Sequence, residues 1–221
     1  YSPYQGRELT DGNIFDSGDI ELPFGSPERA LGMIEERAGE ILADGKLPFL
    51  IGGEHLVTLG AVRAAAAKYP GLHILHFDAH ADLRDEYLGE RLSHACVLRR
   101  CHELTGDGRI YQFGIRSGDK SEFEWGKEHV FTRLFDFEGL EDVLESLRGR
   151  PVYLTVDLDV LDPSVFPGTG TPEPGGVTFD ALRRVVAADV NELSPHYDAS
   201  GASTAAACKI AREMLIALAC K

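Results

Sequence analysis

Three apolar runs in this chain stop abruptly at ionisable residues, and that punctuation limits its architecture more than any other feature. Lys46-Leu47-Pro48-Phe49-Leu50-Ile51 stops at Gly52-Gly53-Glu54-His55. Leu72 to Phe77 stops at Asp78-Ala79-His80-Ala81-Asp82, and Pro151 to Val156 stops at Asp157-Leu158-Asp159. Short runs this apolar read as strands buried on both faces, as in parallel sheets covered by helices. A further strand is expected at Arg109 to Gly114. Helical spacing occupies the intervals. Ser26-Pro27 opens a helix, with Ser26 as N-cap and Leu31, Ile34 and Ile41 on one side. Val57 to Ala67, Leu140 to Leu147, Thr178 to Ala187 and Ser203 to Ala219 read as helices too, whereas Tyr1 to Phe24 reads as irregular chain. Strands alternating with helices make the class α/β with a largely parallel sheet.

With 221 residues and 43% hydrophobic content, residues 1–221 can bury the core of a single domain. A formal net charge of -14 argues against nucleic acid, whose phosphates need basic surface, and favours cationic ligands. No apolar run approaches the length of a membrane span. Cys96, Cys101, Cys208 and Cys220 form no C-x-x-C pair, which fits a reducing compartment, so a cytoplasmic protein is expected.

One passage strains this pattern. The helix from Thr178 to Ala187 leaves almost no turn before Asp189-Val190-Asn191-Glu192, which should be the next strand. Either the strand is stunted or residues are missing from the sequence near 187–190.

The strand ends carry the chemistry. In Asp78-x-His80-x-Asp82 and Asp157-x-Asp159 the period of two sends the side chains to one side of an extended backbone. In parallel α/β sheets ligands bind just beyond the carboxyl ends of strands, where these residues lie. Carboxylates converging there are costly unless positive charge sits between them. A lone histidine after Gly-Gly is usually a loop residue, and a single D-x-D is usually a solvated strand end. All three together point to a two-metal site with His55, Asp78, His80, Asp82, Asp157 and Asp159 as ligands. Nitrogen and oxygen donors without thiolate suit Mn²⁺, Mg²⁺ or Fe²⁺ better than structural zinc. The glycines of Pro167-Gly168-Thr169-Gly170-Thr171-Pro172 mark either a loop close to that site or an ordinary surface turn.

In sequence order, G-G-E-H, F-D-A-H-A-D, S-H-A-C, V-D-L-D-V-L-D-P, P-G-T-G-T-P-E-P-G-G and N-E-L-S-P-H-Y-D resemble the motifs of the arginase/agmatinase (ureohydrolase) family, most closely its bacterial agmatinases. The resemblance implies a three-layer αβα fold and two Mn²⁺ per chain. It assigns His55, Asp78, Asp82 and Asp157 to one ion and Asp78, His80, Asp157 and Asp159 to the other. It further implies hydrolysis of a small cationic guanidino substrate to urea and an amine. Glu192 would pair with the guanidinium, Asp159 would hold the attacking water, and His94 would shuttle a proton to the leaving amine. A homo-oligomer, trimer or hexamer, is expected on the same ground. Family members carry a further segment ahead of the position of Tyr1, expected to be absent here or to lie outside this sequence.

The chain departs from the family pattern at four places. Arg84 stands where arginases have an Asn that holds the substrate α-carboxylate, and Glu90 replaces a Ser. Ala95-Cys96 replaces the common Gly-Thr after His94, and could narrow the pocket. His196 follows Pro195, where many relatives have an apolar residue or proline. Arg84 and Glu90 favour agmatine over arginine. Guanidinobutyrate, another ω-guanidino acid, arginine or a formimino compound is the alternative within the class. Outside it stand a metal-binding regulatory or assembly subunit without turnover, and a single-metal deacetylase-like hydrolase.

Overall fold

The computed structural model describes residues 1–182 and 189–219. Its elements run α1 (Pro27–Ala43), β1 (Leu50–Ile51), α2 (Val57–Lys68), β2 (His73–Phe77), α3 (Val97–Thr105), β3 (Ile110–Ile115) and α4 (Lys120–His129). They continue with β4 (Phe131–Leu134), α5 (Leu140–Ser146), β5 (Val152–Asp157), α6 (Phe179–Leu182), β6 (Asp189–Asn191) and α7 (Ala202–Ala219). The six strands form one sheet in the order β1-β6-β5-β2-β3-β4, and every pair is parallel. The expected α/β class with a mostly parallel sheet is therefore the fold of this chain.

Alternation along β2 separates two cores. Ile74 packs with Leu31, Ile34, Leu59, Val62 and Leu98 under α1, α2 and α3. Leu75 and Phe77 pack on the other face with Leu154, Val156, Ile210 and Met214, under α7. Helices α1 and α2 approach so closely that a Cβ at Gly60 would lie 2.8 Å from Ile34. Only glycine fits that contact.

The register sets the site. Phe77 aligns with Val156 and with Phe113, and Asp157 aligns with Asn191. The residues that follow β2, β5 and β6 therefore emerge along one edge of the sheet. Gly52 leaves β1 at the same edge and bonds Val190 through its backbone. A Cβ there would collide with the side chains of Asn191 and Val57.

Some expectations need correction. The strand expected from Lys46 is only Leu50–Ile51, because its single partner β6 has three residues to offer. Ser26 makes no side-chain cap, and Pro27 alone marks the start of α1. The helix expected from Thr178 to Ala187 is seen as Phe179–Leu182, and its remainder at 183–188 lies outside the described residues. The suspected gap near 187–190 falls partly on those residues too. The sequence reading gave no place to α3, α4 or β4.

The first residues are tied to the last helix. Ser2 Oγ donates to Glu213 Oε2, and Gln5 Nε2 donates to the same oxygen at 2.8 Å. Lys209 Nζ and Arg212 Nη2 lie 3.1 and 2.9 Å from Glu213 Oε1. Burial works against the carboxylate, but these donors outweigh it and bring Glu213 from 4.5 down to about 2. A depressed acid stabilises the fold above its unfolded pKa, and the contribution disappears as pH falls towards 2. Glu213→Gln should therefore cost on the order of 3 kcal/mol at pH 7. In denaturation curves the gap between wild type and variant should close between about pH 4.5 and 2. A gap independent of pH would contradict the charge-based account.

Candidate metal centre

Every candidate ligand lies at the carboxyl edge of the sheet, and all but His80 are buried. Around His55 the arrangement is threefold: Nδ1 lies 3.3 Å from Asp78 Oδ2, 3.2 Å from Asp82 Oδ2 and 3.3 Å from Asp157 Oδ2. That nitrogen is buried and has no hydrogen-bond partner among the described residues. The other ring nitrogen, Nε2, lies 2.9 Å from Thr155 Oγ1. With Nε2 donating to Thr155, the Nδ1 lone pair faces the three carboxylates. An imidazole whose far nitrogen is fixed this way is oriented as metal ligands usually are.

A second group adjoins the first through Asp78. His80 Nδ1 lies 3.0 Å from Asp159 Oδ2 and 3.5 Å from Asp78 Oδ1. Donor atoms of Asp78, His80 and Asp159 cluster within 4.8 Å, as do those of His55, His76, Asp78 and Asp82. Asp78 is common to both groups. Asp157 joins by two routes, Oδ2 to His55 and Oδ1 accepting the backbone N–H of Asp159 at 2.9 Å. The six residues expected as ligands are thus brought together. An orphaned buried imidazole nitrogen facing carboxylate oxygens, with no cysteine in either donor group, fits hard or borderline divalent cations.

The electrostatics agree with that donor set. Burial, then the charges of Asp159 and Asp78, hold the Asp157 carboxyl well above its usual range. Asp82 and Asp159 are raised by burial and by Asp78. For Asp78, burial acts upwards too, but His76, His55 and His80 outweigh it and hold it well below. Burial disfavours protonated His55, yet the carboxylates of Asp157, Asp78 and Asp82 outweigh it and raise its pKa well above 6.5. Likewise burial opposes, and Asp159 and Asp78 exceed it, in taking His80 to about 12. Protons and divalent cations would compete for these same atoms.

Two residues of the site escaped the sequence reading. His76, which has no ligand-like spacing in the sequence, is buried with Nε2 2.8 Å from Asp78 Oδ2. Gln112 Nε2 donates to His76 Nδ1 at 3.0 Å and to Ala81 O at 2.7 Å, and Thr132 Oγ1 donates to Gln112 Oε1 at 3.1 Å. That chain fixes the His76 proton on Nε2, where it holds the shared carboxylate. Glu54 is the other. Its Oε1 accepts the backbone N–H of His94 at 2.7 Å and lies 3.2 Å from His94 Nδ1. That contact, against the opposing effect of burial, raises the His94 pKa.

Glu192 follows β6 in a left-handed backbone conformation, φ 64°, and Asp82 has φ 54°. Non-glycine residues held in that region are strained and concentrate at functional sites. The backbone N–H of Glu192 donates to Gly53 O at 2.7 Å, and its Oε1 accepts from the His55 N–H at 2.8 Å. The carboxylate thus sits beside a candidate ligand, His55, without joining either donor group. The Gly-Thr-Gly-Thr loop does reach the site, since Thr171 Oγ1 donates to Asp159 Oδ2 at 3.2 Å. Cys96 is buried against Ser93 and the backbone of Glu90. His196 lies in an exposed 3-10 turn.

Residues 1–217 match the Arginase family. The chain belongs to that family. An agmatinase of Bacillus subtilis is 50% identical over 98% of this chain and 79% of its own length. A guanidinobutyrase of Pseudomonas aeruginosa is 33% identical, over 93% and 71%. A solved structure from Clostridium difficile superposes with a TM-score of 0.94 at 46% identity, covering 99% of this chain and 84% of that one. The agmatine ureohydrolase of Thermoplasma volcanium superposes with a TM-score of 0.81 at 36% identity, over 90% and 71%. The Bacillus subtilis alignment spans 230 positions against 221 residues here, so that family member has residues without a counterpart in this chain.

Proposed function

We propose that this chain is a binuclear manganese ureohydrolase that converts agmatine and water to putrescine and urea. The observation that carries the proposal is the pair of donor groups joined at Asp78, with Glu192 held against the backbone of His55. The 50% identity to an agmatinase directs it to that substrate. His55, Asp78, Asp82 and Asp157 would hold one ion, and Asp78, His80, Asp157 and Asp159 the other. Such ions would supply a water of lowered pKa, and so hydroxide near neutral pH.

The chain's own groups do the rest. A guanidinium carbon is a poor electrophile because resonance spreads its charge, so its orientation must be imposed. Glu192 presents a carboxylate for a planar, two-point contact with it. Asp159, fixed by Thr171 and by the backbone N–H of Ala79, is placed to accept a hydrogen bond from the attacking water. His94 is half exposed and held by Glu54. Its raised pKa keeps more imidazolium at neutral pH, ready to protonate the departing amine. The reading also places the protein in the cytoplasm, on its cysteine usage, and makes it a homo-oligomer, on the resemblance alone.

Urea release, measured across a panel of guanidino compounds after loading with Mn²⁺, tests this function. Agmatine should be the fastest substrate, and urea and putrescine should appear in equal amounts. No release from any member of the panel would favour a binding subunit without turnover.

A further inference from the structure

The opposite edge of the sheet carries another convergence of metal-ligating side chains. His102 lies in the last turn of α3, Asp107 in the turn that enters β3, and His129 at the last residue of α4. These positions lead into the amino ends of β3 and β4, whereas the centre described above follows the carboxyl ends. His102 Nε2 lies 2.8 Å from Asp107 Oδ1, and His129 Nδ1 lies 2.6 Å from the same oxygen. The three donor atoms lie within 4.8 Å of one another.

Packing holds both imidazoles in place. Trp125 stacks on His129 at 4.2 Å with an interplanar angle of 21°, and meets the His102 ring edge-on at 4.7 Å. The Gly108 N–H donates to His129 O at 2.9 Å, which ties the Asp107 turn to the end of α4. Side-chain exposures of 16% for His102, 27% for His129 and 68% for Asp107 leave the cluster open to solvent, so water can complete a coordination shell. Arg99 is stacked over the far ring, Trp125, at 3.8 Å.

We propose that His102, Asp107 and His129 form a surface site for a borderline divalent cation of the Zn²⁺, Ni²⁺ and Cu²⁺ class. Two imidazole nitrogens and one carboxylate oxygen suit those ions. Mg²⁺ prefers oxygen donors, and Mn²⁺ binds nitrogen most weakly among the divalent first-row ions. The two edges of the sheet would then differ in metal preference. The carboxylate-rich centre takes Mn²⁺, and the histidine pair takes the later transition metals. Binding moves the proton off each ring nitrogen that now donates to Asp107, to the other nitrogen of a neutral ring or to solvent from a charged one.

The chain supplies its own probe, because Trp125 is its only tryptophan. Tag-free, full-length protein held in excess Mn²⁺ would be titrated with Cu²⁺ or Ni²⁺ while tryptophan emission is followed. Emission should fall at least about two-fold and saturate, and a large excess of Zn²⁺, which does not quench, should restore it after Ni²⁺ has been bound. Mn²⁺ and Mg²⁺ alone should leave emission unchanged. His102→Gln and Asp107→Asn should each shift the midpoint at least about ten-fold to higher concentration, with unaltered circular dichroism showing that each is folded. Two variants are used so that one misfolded protein cannot decide the result. Quenching that never saturates, or a midpoint unchanged in both folded variants, would overturn the site and leave a hydrogen-bonded surface cluster.

Discussion

Glu192→Gln will retain bound metal and lose about 100-fold or more in kcat/KM, whereas Asp157→Asn will lose the metal. The division follows from what each carboxylate touches. Glu192 Oε1 accepts a backbone N–H from His55 at 2.8 Å, and a glutamine oxygen can accept the same bond. What the variant removes is negative charge facing the guanidinium. A hydrogen bond to a charged group contributes roughly 1.5–3 kcal/mol, or about 10–150-fold, and loss of two-point orientation adds to it. Asp157 is different. It is buried with Oδ2 3.3 Å from His55 Nδ1, and its pKa is held high by burial and by Asp159 and Asp78.

A folded-state pKa above the unfolded value means that Asp157 destabilises the metal-free fold progressively as pH rises above its unfolded pKa. Asparagine relieves that repulsion. Asp157→Asn should therefore raise the melting temperature of metal-free protein at pH 7 while shrinking the increase that Mn²⁺ produces. Its metal affinity should drop by more than the roughly 10–100-fold typical of groups that only support ligands. Metal content after dialysis, melting temperature with and without Mn²⁺, and steady-state rates separate the two variants. Equal metal loss in both would put Glu192 among the ligands.

The site was legible in the sequence where its geometry is local. The D-x-H-x-D and D-x-D spacings mark the right residues, although Asp82 turns in through a left-handed backbone, φ 54°, and Asp159 lies in the 3-10 turn Leu158–Val160 rather than on extended chain. A parallel sheet then brings strand ends together without further instruction. His76 and Glu54 were not legible, because their roles come from distant partners. His76 pairs in register with Gln112 on β3, and only that alignment turns an apparent core residue into a support for Asp78. Glu54 meets His94 across 40 residues of chain.

The overlooked elements have physical reasons as well. Helix α4 reads Lys-Ser-Glu-Phe-Glu-Trp-Gly-Lys-Glu-His, too polar to show an apolar stripe. Its one local signal was the capping box of Asp119 and Glu122. Strand β4, at the sheet's edge, has no buried residue and so no alternation to detect. For β1 and β6 the ladder is short on both sides, so tertiary pairing sets their length rather than composition.

Agmatine should exceed arginine in kcat/KM by at least about 100-fold, since a carboxylate desolvated without donors costs about 3 kcal/mol or more. Both substrates present the same guanidinium, so the metals and Glu192 cannot tell them apart. Discrimination has to come from the far end, where arginine adds the α-carboxylate. Arg84 was the residue that could have rescued it by turning inwards. Its Nε instead lies 3.3 Å from Glu122 Oε2 and its Nη2 3.3 Å from Asp119 Oδ2, with the guanidinium 4.8 Å from the Tyr87 ring centre. Glu122 is itself anchored by the backbone N–H groups of Leu83 and Asp119, so releasing Arg84 would leave a buried carboxylate without its cation. Glu90, exchanging backbone hydrogen bonds with Tyr87 in the same loop, adds negative charge and no donor side chain. Freeing the arginine provides the control. Glu122→Gln with Asp119→Asn should narrow the preference for agmatine if Arg84 then reaches the anion, and steady-state kinetics on both substrates would read it. An arginine kcat/KM equal to or above that of agmatine in the wild-type protein would reject the substrate assignment while leaving the metal centre intact.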